Sequence, residues 1–154
     1  MRSSAMAVDV RPVTAADRGA WLRMRQALWP SDPEEHAVEI DRFFARELHE
    51  PLAVLVAFDQ HADAVGFAEL NIRNYAEGCA TNRVAYLEGW YVGPHARRKG
   101  VGRALVRAAE HWGREQGCTE FASDAEIDNH VSAAAHAALG FIEADRIVCF
   151  RKDL

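Results

Sequence analysis

The chain has 154 residues, 49% of them hydrophobic and 27% charged, and a formal net charge of −5. That length is expected to form one domain over residues 1–154, with a proper core and no room for a second. The acidic balance excludes a general nucleic-acid binder, and no apolar run approaches the roughly 18 residues needed to span a membrane.

Residues 1–6 are expected to be a leader, either disordered or appended, with Met6 as an alternative start and no signal-peptide apolar core. "AVDVRPV" reads as a first strand. "TAADRGAWLRMRQALW" follows at helical spacing, with Thr14 as N-cap and Asp17 completing a capping-box-like pair. Trp21, Met24, Arg25 and Leu28 fall on neighbouring faces of that helix. Pro30 ends it, "PSDP" turns the chain, and a second helix is predicted from about Glu34 to His49. "LAVLVAFD" and "AVGFAELNIR" are strands whose short polar link, "QHAD", implies an antiparallel hairpin. After the exposed loop "YAEGCATN", "RVAYLEGWYVG" is a long strand and "VGRALVRAAEHWGREQG" a helix with Val101, Leu105, Ala108 and Trp112 on one face. "TEFASDA" is a strand, "DNHVSAAAHAAL" a helix closed by Gly140, and "FIEADRIVCFRKD" a last long strand. The order β-α-α-β-β-β-α-β-α-β predicts an α/β fold, a mixed central sheet flanked by helices on both faces. Cys79, Cys118 and Cys149 lack metal-ligand spacing, which gives no metal site and fits a reducing cytoplasm.

Chemistry concentrates at "VGPHARRKGVGRALV". An apolar strand runs into Arg97, Arg98 and Lys99, then Gly100, Val101, Gly102 and Arg103 open a helix. A helix start carries unsatisfied N–H groups and partial positive charge, so extra cations there oppose the dipole unless an anion is bound. Glycines at this place let a phosphate reach the main chain. Neither the G-x-x-x-x-G-K-[ST] loop nor the G-x-G-x-x-G fingerprint is present.

Arg97, Gly100 and Gly102 match [R/Q]-x-x-G-x-[G/A], which resembles the acetyl-coenzyme A signature of the GNAT acetyltransferases. Asn129, Ser132, His136, Gly140 and Phe141 of "NHVSAAAHAALGF" stand in register with a second motif of that family, N-x-x-A-x-x-x-Y-x-x-x-G-F. The resemblance implies the GNAT fold and acetyl-CoA as cosubstrate. Its pyrophosphate would lie on the loop from Arg97 to Arg103, and Asn129 would bond the pantetheine arm. It also puts His136 where the family often has a proton-donating tyrosine. His136 is then either that acid or a groove-lining histidine.

"LWP", "IRNYAEGC", "YLEGWYV", "ASD" and "HAALGF" together resemble the aminoglycoside 6′-N-acetyltransferases, from the first strand to "FRKDL". That resemblance implies acetyl transfer to the 6′-amine of an aminoglycoside, with antibiotic resistance as the outcome. It also implies acceptor contacts from Trp29, Asp32 and Tyr75, the similar enzymes carrying histidine in place of Asp32. A homodimer is implied too, with Glu143 and Asp145 as candidates contributed across its interface.

The residues themselves support a cationic acceptor. Period-2 alternation on "YLEGWYV" puts Glu88 and Trp90 on one face and Leu87 and Tyr91 on the other, with a bulge available at Gly89. Asp124 ends the next strand, at the carboxyl edge where α/β proteins bind ligands. An ammonium is no nucleophile, so an acceptor amine must first lose a proton. Glu88, through water, is the first candidate for the base and Asp124 the group that binds the acceptor. The alternatives are a buried hydrogen bond for Glu88 and a helix cap for Asp124. Direct attack in a ternary complex would place the developing oxyanion on a backbone N–H near Tyr91 or Val92. Rival readings are a GNAT enzyme for another amine (a polyamine, small metabolite or protein amine) and a non-catalytic acyl-CoA-binding module.

Overall fold

The computed structural model describes residues 7–154, so the expected leader at residues 1–6 lies outside the described residues. The chain enters through β1 (Asp9–Pro12). Asp17 then locks the turn into the first helix. It accepts from the Thr14 N–H at 2.8 Å and from the Arg11 guanidinium at 2.7 Å, so the expected capping pair is present. Helix α1 spans Arg18–Leu28 and buries Trp21, Met24 and Arg25. Helix α2 (Pro33–Phe44) begins with Pro33 in its first turn and with the Asp32 carboxylate accepting from the Glu34 N–H at 3.0 Å. It stops at Phe44, short of the predicted His49, where the chain turns through Arg46 in the left-handed region at φ 59°.

Strands β2 (Ala53–Phe58), β3 (Ala64–Arg73), β4 (Val84–Val92) and β5 (Phe121–Ser123) complete a five-stranded sheet in the order β1-β2-β3-β4-β5. The first four run antiparallel and β5 joins β4 in parallel. Asp59 closes the β2–β3 hairpin by accepting from the His61 and Asp63 N–H groups at 2.9 and 3.0 Å. Helix α3 (Val101–Glu115) packs Val101, Leu105, Val106 and Ala109 on one face of the sheet, against Leu55, Val65, Ala68, Leu70 and Leu87. On the other face Trp21, Met24 and Ile40 of α1 and α2 meet Val54, Val56 and Phe67. Helix α4 (His130–Ala138) ends at Gly140, whose φ of +91° requires glycine.

Two expectations are corrected. The register passes from Leu70 opposite Leu87 to Glu69 opposite Gly89, so Glu88 is an extra residue in a β-bulge. The bulge resets the alternation: Leu87 and Trp90 pack together on the α3 side, while Tyr91 joins Phe67 on the α1 side. The segment from Phe141 to Asp153, predicted as a last strand, forms no ladder with any described strand. Ile142, Val148 and Phe150 in it are 90%, 77% and 91% exposed. No described helix is long and apolar enough to cross a membrane.

Candidate active site

Strands β4 and β5 pair over only three positions, ending at Leu87 opposite Ser123. Beyond that point they part, and β4 runs on from Glu88 to Val92 paired only to β3. The candidate site is built around this fork.

On one side of the fork lies the start of α3. Gly100 adopts φ +90° with open space where a side chain would stand. The first helical bond is donated by Ala104 to the Gly100 carbonyl, so the N–H groups of Val101, Gly102 and Arg103 have no acceptor one turn back. Arg97 folds back to donate from Nε to the Val92 carbonyl at 3.0 Å, which ties the basic loop to the end of β4. Arg98, at φ 62°, and Arg103 are exposed, and Lys99 is half-buried. A cationic loop with open amides fits a pyrophosphate. Gly102 serves a different purpose from the one its motif suggests: a methyl there would meet the Trp90 indole at 3.1 Å. Its missing side chain makes room for Trp90.

His136 reaches the fork from α4. Its Nδ1–H donates to the Ser132 carbonyl at 2.7 Å, so Nε2 is the acceptor for the Ser123 hydroxyl at 2.8 Å in the neutral ring. The ring is held edge-on to Trp90 at 5.1 Å. Asn129 caps α4 by accepting from the Ser132 N–H at 3.0 Å, leaving its amide nitrogen as the donor a ligand could use.

Trp29 packs next to Glu88, and Glu88 is linked to Asp124 through Arg73 and Tyr86. Trp29 follows α1, 36% exposed, with its ring against Gly89. Glu88 receives both arms of Arg73, at 2.8 and 2.7 Å. Asp124 accepts from the Tyr86 hydroxyl at 2.6 Å. Burial, reinforced by that bond, pushes the Tyr86 phenol well above its ordinary range, so it stays protonated and donating. The Glu88 bond holds the Arg73 guanidinium above the usual arginine value.

Other candidates are not brought into this cluster. Asp32 is the exposed cap of α2, and Tyr75 lies 66% exposed on the loop after β3. Glu143 pairs with Arg146, and Asp145 accepts from the Arg146 N–H at 2.8 Å, both in the exposed final segment.

Several residues here escaped the sequence reading. Arg73 and Tyr86 lie inside "IRNYAEGC" and "YLEGWYV", but neither was given a role there. Beneath Trp29, Arg25 and Glu69 are 9% and 3% exposed, joined at 2.9 Å, with the Trp21 indole N–H donating to Glu69 at 3.2 Å. Burial pushes the Glu69 carboxyl up from its ordinary value against the opposing pull of Arg25. A lone glutamate inside an apolar strand, and an arginine on a helix's buried face, were the available signals.

The fold, the glycine-opened helix and the forked strands define an acyl-CoA-type transferase. Residues 21–141 match the acetyltransferase (GNAT) family model, and the chain belongs to that family. It is 54% identical over 146 residues to an aminoglycoside N(6′)-acetyltransferase type 1 of Klebsiella aerogenes, covering 94% of this chain and 96% of that protein. Among solved structures, aminoglycoside N-acetyltransferase AAC(6′)-Iy in complex with CoA superposes with a TM-score of 0.88 at 32% identity, covering 100% of both chains. AAC(6′)-Iy bound to the bisubstrate analogue CoA-S-monomethyl-acetylneamine superposes with a TM-score of 0.87 at 34% identity, covering 96% of this chain and 99% of that one.

Proposed function

We propose that this chain, acting as a single domain, transfers the acetyl group of acetyl-CoA to the 6′-amine of aminoglycosides and so confers resistance to them. The observation that carries this reading is the linking of Glu88 to Asp124 through Arg73 and Tyr86 at the fork of β4 and β5, with Trp29 packed on the neighbouring Gly89. An aminosugar presents a ring for the indole and ammonium groups for the carboxylates. The similarity to enzymes named for this acceptor supports the same substrate.

Bound acetyl-CoA supplies an activated thioester carbonyl. Arg97, Arg98, Lys99 and Arg103, with the amides of Gly100, Val101 and Gly102, hold its pyrophosphate, and Asn129 and Ser132 face its pantetheine arm. A backbone amide at Tyr91 or Val92 stabilises charge growing on the carbonyl oxygen. Glu88 acts through water as the base that draws the acceptor's proton. Asp124, fixed by Tyr86, binds the acceptor with Trp29, while Asp32 pairs with an ammonium and the loop of Tyr75 closes over the site. His136 takes a proton from solvent at Nε2 and gives that proton to the departing thiolate, with the Ser123 hydroxyl as its neighbour.

The working form we infer is a homodimer in the cytoplasm. Cys79, Cys118 and Cys149 are all unpaired thiols, which suits a reducing compartment. The outer edge of β5 is unpaired, and apolar Ile127, Val131, Ile142, Val148 and Phe150 are exposed close by in sequence. A second copy contributing its final segment would cover both and bring Glu143 and Asp145 towards the acceptor.

Thiol release from acetyl-CoA tests the reading. Turnover with kanamycin or tobramycin, absent with their 6′-hydroxyl counterparts and with spermidine or a lysine peptide, is the expected result. Activity on the polyamine or peptide alone overturns the acceptor, and no turnover at all favours a binding module.

A further inference from the structure

The acidic site contains a cation of its own. Arg73, at the end of β3, gives Nε to Oε1 of Glu88 at 2.8 Å and Nη2 to Oε2 at 2.7 Å. Its guanidinium lies 3.6 Å from the centre of the Tyr86 ring, and the Tyr86 hydroxyl is bonded to Asp124. Four side chains, from β3, β4 and the residue that follows β5, thus form one connected group, with a fixed positive charge between two carboxylates.

For ground-state binding of a polycation this arrangement is counterproductive, because Arg73 occupies the carboxylate an ammonium would use. For the reacting amine it is useful. Two bare carboxylates would hold the acceptor as ammonium, which cannot attack. A like charge within ~4–6 Å shifts that balance towards the neutral amine by about tenfold or more.

Resting on the function proposed above, we propose that Arg73 is a positioning residue for the acceptor amine: it fixes Glu88, offsets its charge, and makes the 6′-ammonium release its proton on binding. The proton leaves the amine nitrogen for water beside Glu88 and passes to bulk buffer, leaving a lone pair for attack. The charged and titratable groups facing Arg73 are Glu88 and Tyr86 from β4 and Asp124 just after β5. Trp29, packed on Gly89, brings no charge, and Arg25 beneath it is committed to Glu69 and Glu39.

The test is calorimetric titration of kanamycin, in buffers of differing ionisation enthalpy, into the wild-type enzyme, R73M and R73K. The 6′-hydroxyl counterpart serves as blank for the other amines. Wild type and R73K are expected to release more protons with the 6′-amine than with the 6′-hydroxyl compound. R73M is expected to lose that excess and to bind about threefold to tenfold more tightly. In turnover, the acid limb of the R73M kcat profile moves up by about one pH unit, with activity recovered at high pH. Unchanged proton release and an unchanged limb in R73M overturn the role of Arg73 while the acceptor reading stands. Absence of kanamycin binding to wild type overturns both.

Discussion

Trp29 and Gly89 are in such close register that a methyl on Gly89 would stand 2.5 Å from Cη2 of the indole. No side-chain atom is tolerated at that distance, so the ring and the bulged strand beside Glu88 define each other's position. Gly89→Ala must push Trp29 off the strand or distort the bulge. The expected outcome is a KM for the aminoglycoside raised about tenfold, the loss that follows from a displaced binding group. The KM for acetyl-CoA changes little, because Gly100 and its loop lie elsewhere. Steady-state kinetics with each substrate varied in turn check this.

The pose of Trp29 is set from below as well. Arg25 lies 5.4 Å from the centre of its ring. His36 accepts from Arg25 Nη1 at its Nδ1, at 3.1 Å, so its Nε2–H is free to donate to the Trp29 carbonyl at 2.8 Å. Removing Glu69 alone leaves a buried guanidinium without its main partner, and Glu69→Ala is expected to cost about 3–5 kcal/mol. Replacing both partners, Arg25→Met with Glu69→Leu, is expected to recover most of that stability. The double variant should still bind aminoglycoside poorly, since Trp29 has lost the groups that hold it. Denaturation midpoints read alongside acceptor KM separate the two effects.

How far the sequence carried depends on the range of the interaction. Thr14 with Asp17, Gly140 and the hairpin link are local devices, and each is found where the pattern placed it. The glycine-opened start of α3 was legible because Arg97, Gly100 and Gly102 are near neighbours. Leu87 and Trp90 show the limit: period 2 assigned them to opposite faces, and one extra residue at Glu88 put them on the same one. Arg73 and Glu88 meet only through β3–β4 register, so neither residue's surroundings announce the pair. Helix α2 was overextended because apolar spacing continues past Phe44, while the left-handed turn at Arg46 leaves no mark in residue type. The final segment was read as a strand from its composition, but composition does not say whether a strand edge lies within its reach.

Asp17 makes the fold sensitive to acid. It is 7% exposed, and the Arg11 guanidinium, aided by Thr14, holds its carboxyl below the ordinary range against the effect of burial. With the folded value below the unfolded value of about 3.9, the unfolded chain binds more protons between the two. The stabilisation is therefore present above about pH 4 and lost as pH falls through the folded value. Asp17→Asn is expected to cost about 1–3 kcal/mol at neutral pH. The gap between variant and wild type should close on acidification. Urea midpoints at about pH 7 and about pH 3 give the comparison, and a gap that stays constant removes the Arg11–Asp17 pair from the account.

The last prediction concerns the exposed final segment. Phe150 is 91% exposed and Val148 77%, while β5, at one end of the strand order, is only three residues long. Exposed apolar side chains of that size and an unpaired strand edge are each costly in water unless another surface covers them. If a second copy does so, Phe150→Asp places a charge in the interface and should shift sedimentation from dimer to monomer. The core around Trp21 and Phe67 involves none of these residues, so the variant's thermal transition should survive. Activity should fall with dilution in step with the dimer fraction if Glu143 or Asp145 of the second copy serves the acceptor. A monomeric wild type, or a monomeric F150D with full activity, would mean that each chain works alone.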